Sequence, residues 1–66
     1  MRVNTRKLLL LMANKSMSAE KLAEASGVSG ASLSKIKSGK RTARPSTLGK
    51  IATALECKVE DFISED

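Results

Sequence analysis

Sixty-six residues carry twelve Lys and Arg against seven Asp and Glu, a formal charge of +5, with one Phe, one Cys, one Pro and no Trp, Tyr or His. A chain of this length is expected to form one domain over 1–66 and to bury only about 60% of the surface its unfolded form exposes, which excludes a deep substrate pocket and an elaborate enzyme. Without His and with a single Cys, neither an intramolecular disulfide nor a four-ligand Cys/His zinc site can be assembled, and no cofactor is implied.

At 41% apolar and 29% charged residues the balance is globular, not disordered. The apolar run near the N-terminus, residues 8–13, is six residues long between Arg6-Lys7 and Asn14-Lys15. It falls short of the about 20 residues of a membrane span and the about 7–15 of a signal h-region. A cytoplasmic location is therefore expected from the absence of such signals, and a lone free thiol fits a reducing compartment. Charge is unevenly placed. Residues 1–50 hold eleven Lys/Arg and only Glu20 and Glu24, a net of +9, whereas residues 51–66 hold Lys58 against Glu56, Glu60, Asp61, Glu65 and Asp66, a net of −4. That asymmetry points to an anionic partner for the basic side.

No β alternation or internal repeat is present, and five helical segments predict an all-α architecture. The first spans about 5–14, with Asn4 as N-cap, Val3 placed to staple onto Leu8, and Lys15 at the negative C-terminal end. Leu8, Leu11 and Met12 share one side at 100° per residue, while Leu10 points nearly opposite and Leu9 lies between, so one of these leucines is expected outside the core. The second segment starts after Ser18, turns Leu22, Ala23 and Ala19 inward, and ends at Ser26-Gly27. Val28 tucks in. Ser29 then caps a third helix with Leu33 and Ile36 on its core face, closed by Ser38-Gly39. Residues 40–45 read as a loop, because Arg44 precedes Pro45 and is biased to extended geometry. Ser46 is the expected cap of helix four, whose Leu48, Ile51, Ala52 and Leu55 form an i, i+3, i+4, i+7 stripe; Val59, Phe62 and Ile63 repeat that logic in a short fifth helix.

Two short helices joined by Ser26-Gly27-Val28-Ser29 satisfy the physical description of a helix-turn-helix over about 18–38. The stretches 17–29 and 33–41, with Ile51-Ala52-Thr53-Ala54-Leu55 and Val59-Glu60-Asp61-Phe62-Ile63, resemble the phage-repressor and Cro type of helix-turn-helix domain, also called the xenobiotic-response-element family, over nearly the whole chain. The resemblance implies a lambda-repressor-like domain whose third helix lies in the DNA major groove, which assigns Gly30, Ala31, Ser34 and Lys35 to base reading. Of these only Lys35 brings charge to guanine O6 and N7; Ala31 can touch only a thymine methyl and Ser34 discriminates poorly, so modest specificity is expected.

Phosphate contacts are better supplied. Between Gly30 and Arg44 stand Lys35, Lys37, Lys40, Arg41 and Arg44 and no acid. These cations repel one another unless an anion arrives. Ser18, Ser29 and Ser38 are candidate phosphate ligands at helix ends, a plain capping role being the alternative for each. Arg44 is also the candidate for a narrow minor groove, unless Pro45 fixes it elsewhere.

Three departures from the family pattern stand out. Ala19 occupies a position where relatives often carry a Gln that buttresses a phosphate contact. Met12 and Lys37 occupy positions where relatives often pair an Arg with a Glu, and that concerted change lets Met12 pack on the Lys37 stem and leaves its ammonium for phosphate. The Leu8-Leu9-Leu10-Leu11 run is either a greasy helix of a small core or a contact for a second subunit or protein, and Phe62 and Ile63 raise the same question. Relatives often dimerise through the fourth-to-fifth helix region, here Cys57, Lys58 and Val59, which with Leu10 are the candidate oligomer or partner contacts. Cys57 reads most simply as a small buried hydrophobe, with redox sensing the alternative.

The reading that follows is a sequence-specific double-stranded-DNA-binding transcriptional regulator and no enzyme, most simply a small Cro-like repressor that binds a palindromic operator as a homodimer. No membrane or small-molecule partner is expected. With no sensing domain after the fifth helix, control would come from concentration, a partner or a weak dimer. An antitoxin or anti-regulator that grips a protein through its leucine-rich first helix and acidic end is the alternative. An RNA binder is disfavoured by the scarcity of aromatics for base stacking.

Overall fold

The computed structural model of the chain describes residues 2–39 and 43–64. Its elements run β1 (Arg2–Val3), α1 (Thr5–Asn14), α2 (Ala19–Ser26), α3 (Gly30–Lys37), α4 (Pro45–Leu55), one 3-10 turn (Val59–Asp61) and β2 (Ile63–Ser64). The first three helices begin where the sequence places them because a short polar side chain takes a free N–H at each start. Asn4 Oδ1 accepts from the Lys7 N–H at 3.0 Å, Ser18 Oγ from Lys21 at 3.2 Å and Ser29 Oγ from Ser32 at 3.2 Å. Each such cap stabilises its helix by about 1 kcal/mol.

Helix α4 corrects the expectation of a Ser46 cap. It begins at Pro45, and Arg44 is the N-cap without a side-chain cap hydrogen bond. A proline has its φ preset for the first helical position and no N–H to leave unpaired there, so the ring sets the start and the Ser46 hydroxyl is not needed. Arg44 takes the extended geometry expected before a proline, with φ −71° and ψ 149°.

The helix ends explain how so short a chain turns so often. Gly27 ends α2 in the left-handed region at φ 75°. At the ends of α1 and α4 the same job falls to non-glycine residues, Ser16 at φ 51° and Glu56 at φ 54°. Beyond them the Met17 N–H reaches back to the Met12 carbonyl (2.9 Å) and the Cys57 N–H to the Ala52 carbonyl (3.0 Å), the six-to-one bond of a Schellman ending.

The core gathers Leu8 and Met12 of α1, Leu22 of α2, Leu33 and Ile36 of α3, and Leu48, Ile51, Ala52 and Leu55 of α4, so the inward faces of the helices match their periodicity. Val3, Val28, Ala43 and Phe62 complete it from the connections and ends, and among the described residues no polar or charged side chain is buried. Leu9 and Leu10 are 49% and 58% exposed.

Two expectations about the C-terminal segment fail. The fifth helix is one 3-10 turn of three residues, Val59–Asp61, so the described architecture has four α-helices. Asp61 Oδ2 accepts the Lys58 N–H at 3.0 Å, and the chain then leaves in extended form. Nor is the chain free of β structure: β1 and β2 pair antiparallel, Arg2 with Ser64 and Val3 with Ile63. Two-residue strands are too short for alternation to show, and the pairing joins opposite ends of the sequence. Its effect is to lock Phe62, fully buried, under the helices, with the Phe62 carbonyl accepting the Asn4 N–H at 2.8 Å. Phe62 is therefore a core residue and not an exposed partner contact; Ile63 is half-buried.

Candidate nucleic-acid interface

The connection between α2 and α3 is held by one hydroxyl as much as by its glycine. Ser26 Oγ donates to the Leu22 carbonyl at 2.6 Å and accepts the Val28 N–H at 3.2 Å, tying the last turn of α2 to the residue that follows the turn. The Gly27 N–H bonds the Ala23 carbonyl at 2.9 Å, and Val28 is buried. With α2 packed on α3 and α4, and α1 also against α3, Leu33 and Ile36 anchor α3 by its inner face.

That anchoring decides what faces outward. Gly30, Ala31, Ser34 and Lys35, the residues assigned to base reading, are all exposed and lie together on α3. Lys37, in the last turn, is half-buried, while Arg44 at the start of α4 is exposed. Lys40 and Arg41 lie outside the described residues. Among the described residues one ion pair forms, Lys15 with Glu56 at 2.7 Å, so Lys35, Lys37 and Arg44 have no carboxylate partner. Lys35 and Lys37 also sit at the end of α3 where the helix dipole favours positive charge.

The three candidate serines are exposed and each closes a helix end. Ser18 Oγ caps α2; Ser29 Oγ accepts the Ser32 N–H and donates to Ser32 Oγ at 3.0 Å; Ser38 Oγ donates to the Lys35 carbonyl at 2.9 Å. Met12 is buried on α1 and Lys37 half-buried on α3, two helices that pack on each other.

The candidate partner contacts come from two parts of the chain. Leu10 is exposed on α1, whereas Cys57 and Val59 are half-buried and Lys58 exposed beyond α4. The Lys15–Glu56 bridge brings the end of α1 beside Cys57, but Leu10 lies more than a turn back. Desolvation, with a smaller contribution from the Asp61 carboxylate, pushes the Cys57 thiol up, against an opposing pull from Lys15. Its thiolate is thereby disfavoured.

Sequence reasoning missed three positions that shape the surface. The double bond of Ser26 is not apparent from its place at the end of α2, although a hydroxyl one residue before a helix-ending glycine is a local signal for it. Ser32 is the second half of the Ser29 cap. Ala43 is buried inside the basic stretch before Arg44 and so fixes where Arg44 emerges; a single alanine among charges carries no periodicity that would reveal it.

The sequence pattern of the Cro/C1-type HTH DNA-binding domain matches residues 7–64. No curated protein sequence matches the chain. Among solved structures, the restriction-modification controller protein C.AhdI from Aeromonas hydrophila is similar at 28% identity with a TM-score of 0.80, over 86% of each chain. An HTH_3 family transcriptional regulator from Vibrio cholerae is 31% identical with a TM-score of 0.79, covering 88% of this chain, which spans 33% of that one. The clp gene regulator ClgR from C. glutamicum is 32% identical with a TM-score of 0.75, over 86% of this chain and 74% of that one. With 58 consecutive residues matched, the helix-turn-helix included, the chain belongs to the Cro/C1-type HTH DNA-binding domain family.

Proposed function

We propose that this chain is a transcriptional regulator that binds duplex DNA through α3, as a dimer on a palindromic operator with half-sites about 34–36 Å apart. The observation that carries the reading is the outer face of α3 and its surroundings. Among the described residues Lys35 and Lys37 have no carboxylate partner, Gly30 and Ala31 are small and open, and Arg44 stands exposed at the start of the next helix. Regulators among the solved relatives support the regulatory role. Lys35 serves as the charged base reader, and Lys37, Lys40, Arg41 and Arg44 as phosphate ligands. The Ser18 and Ser29 ends, as helix N-termini, present backbone N–H groups and hydroxyl oxygens to the same phosphates, and Ser38 offers its hydroxyl oxygen. Repression follows if the operator overlaps a promoter.

Titration of fluorescent duplex DNA with wild type and with the double substitution Lys35→Ala/Lys37→Ala tests this. The double variant should bind at least about tenfold more weakly, since both lost cations remove released counterions and the loss of Lys35 also removes a base contact. Equal binding would overturn the reading.

A second reading draws on Leu9 and Leu10, whose exposure on α1 is unusual for large aliphatic side chains side by side. In it, α1 contacts a second subunit or another protein, and DNA binding is secondary.

A further inference from the structure

Gly30 is not required by the fold. It is exposed, its φ lies outside the left-handed region, and a Cβ built on it would meet no atom within 4 Å. Alanine would fit there and would favour the helix. A glycine the chain itself has no use for, at the head of an exposed helix face, allows close approach by a molecule from outside.

The rest of the face continues this pattern. Ala31 and Ser34 are exposed and short, and the first long side chain is Lys35. Ala31 and Lys35 are four residues apart, so they stand one above the other on α3, separated by about 6 Å along its axis. Successive base pairs are about 3.4 Å apart, which places the two residues about two base pairs from each other.

Each residue admits one base. The Ala31 methyl neither donates nor accepts, and its specific partner in the major groove is the C5-methyl of thymine. The Lys35 ammonium only donates, and guanine alone offers it two acceptors, N7 and O6, without a competing donor. Ser34 donates and accepts, so it sets no preference between them.

Resting on the reading of the domain as a duplex-DNA binder, we infer that α3 reads a half-site in which a thymine and a guanine lie about two base pairs apart. Ala31 meets the thymine methyl and Lys35 the guanine, and Gly30 lets the start of the helix seat against the DNA.

Sites selected by the full chain from a random duplex pool supply the reference duplex, in which each thymine is then replaced by deoxyuridine and each guanine by 7-deazaguanine. Wild type should lose about fourfold in affinity at one deoxyuridine and about tenfold at one 7-deazaguanine. Ala31→Gly should become indifferent to that deoxyuridine and Lys35→Ala to that 7-deazaguanine, each keeping its response to the other base. Gly30→Ala should resist thermal unfolding at least as well as wild type yet bind several-fold more weakly, a split that a folding role would not produce. Selected sites without a thymine and guanine at this spacing, or variants that keep wild-type discrimination, would overturn the inference. Wild-type affinity in Gly30→Ala would overturn the close seating. Absence of any duplex binding would instead overturn the DNA reading itself, and this inference with it.

Discussion

The Lys15 ammonium donates to Glu56 Oε1 at 2.7 Å, linking the end of α1 to the end of α4 across 41 residues of sequence. Both helices end through a non-glycine residue in the left-handed region, Ser16 beside Lys15 and Glu56 itself. The side chains of the two reversals thus hold together two backbone turns that the local residue types do not favour.

Lys15 lowers the pKa of Glu56, first through the hydrogen bond and then through its charge. Because the folded-state pKa lies below the unfolded value, the charged carboxylate stabilises the fold above the unfolded pKa, and that contribution is lost as pH falls through the folded one. Glu56→Gln should therefore melt below wild type at about pH 6, above the usual carboxylate range, and the gap should close as pH falls through the lowered folded-state pKa of Glu56. Since the pair is solvent-exposed, about 1 M salt should also narrow the gap. A gap independent of pH, followed by thermal unfolding, would contradict the bridge.

Ser16→Gly should stabilise the chain by about 0.5–1 kcal/mol, because glycine meets φ 51° without the clash an L side chain makes there. Glu56→Gly should gain less, since it relieves the same backbone but removes the bridge. Chemical denaturation of both variants measures the difference.

Ser26→Ala should cost about 1 kcal/mol by the same measurement, as the Val28 N–H loses its acceptor and the Leu22 carbonyl its side-chain donor. A loss well below about 0.5 kcal/mol would mean that Gly27 alone holds the turn.

Leu8→Ala should cost about 2.7–5 kcal/mol as a fully buried leucine, whereas Leu10→Glu should change stability by less than about 0.5 kcal/mol because Leu10 is 58% exposed. If α1 forms a subunit contact, sedimentation at micromolar concentration should show Leu10→Glu as the smaller species. Unchanged self-association would place the contact elsewhere.

The parts of this fold written in local sequence were legible from it. Asn4, Ser18 and Ser29 marked their helix starts because capping needs only a side chain three residues from a free N–H. The inward stripe of α4 was equally plain, and the exposure of Gly30, Ala31, Ser34 and Lys35 followed once Leu33 and Ile36 were placed inward. What escaped depends on contacts between distant residues. The β1–β2 pairing joins Val3 to Ile63, and the expected fifth helix is instead a short turn ahead of that second strand. Lys15 and Glu56 fall in this class. The start of α4 differs from expectation for another reason: two acceptable starts stand side by side, and the proline at 45 prevails over the serine at 46.

Duplex DNA affinity as a function of salt tests the proposed function most directly. Between about 50 mM and about 200 mM salt, log affinity should fall linearly with log salt with a slope equivalent to about three to six released counterions per subunit, reduced by about one for each of Lys35→Ala and Lys37→Ala. Undetectable binding at about 50 mM salt, or affinity that is flat with salt and indifferent to both substitutions, would contradict a DNA interface on α3.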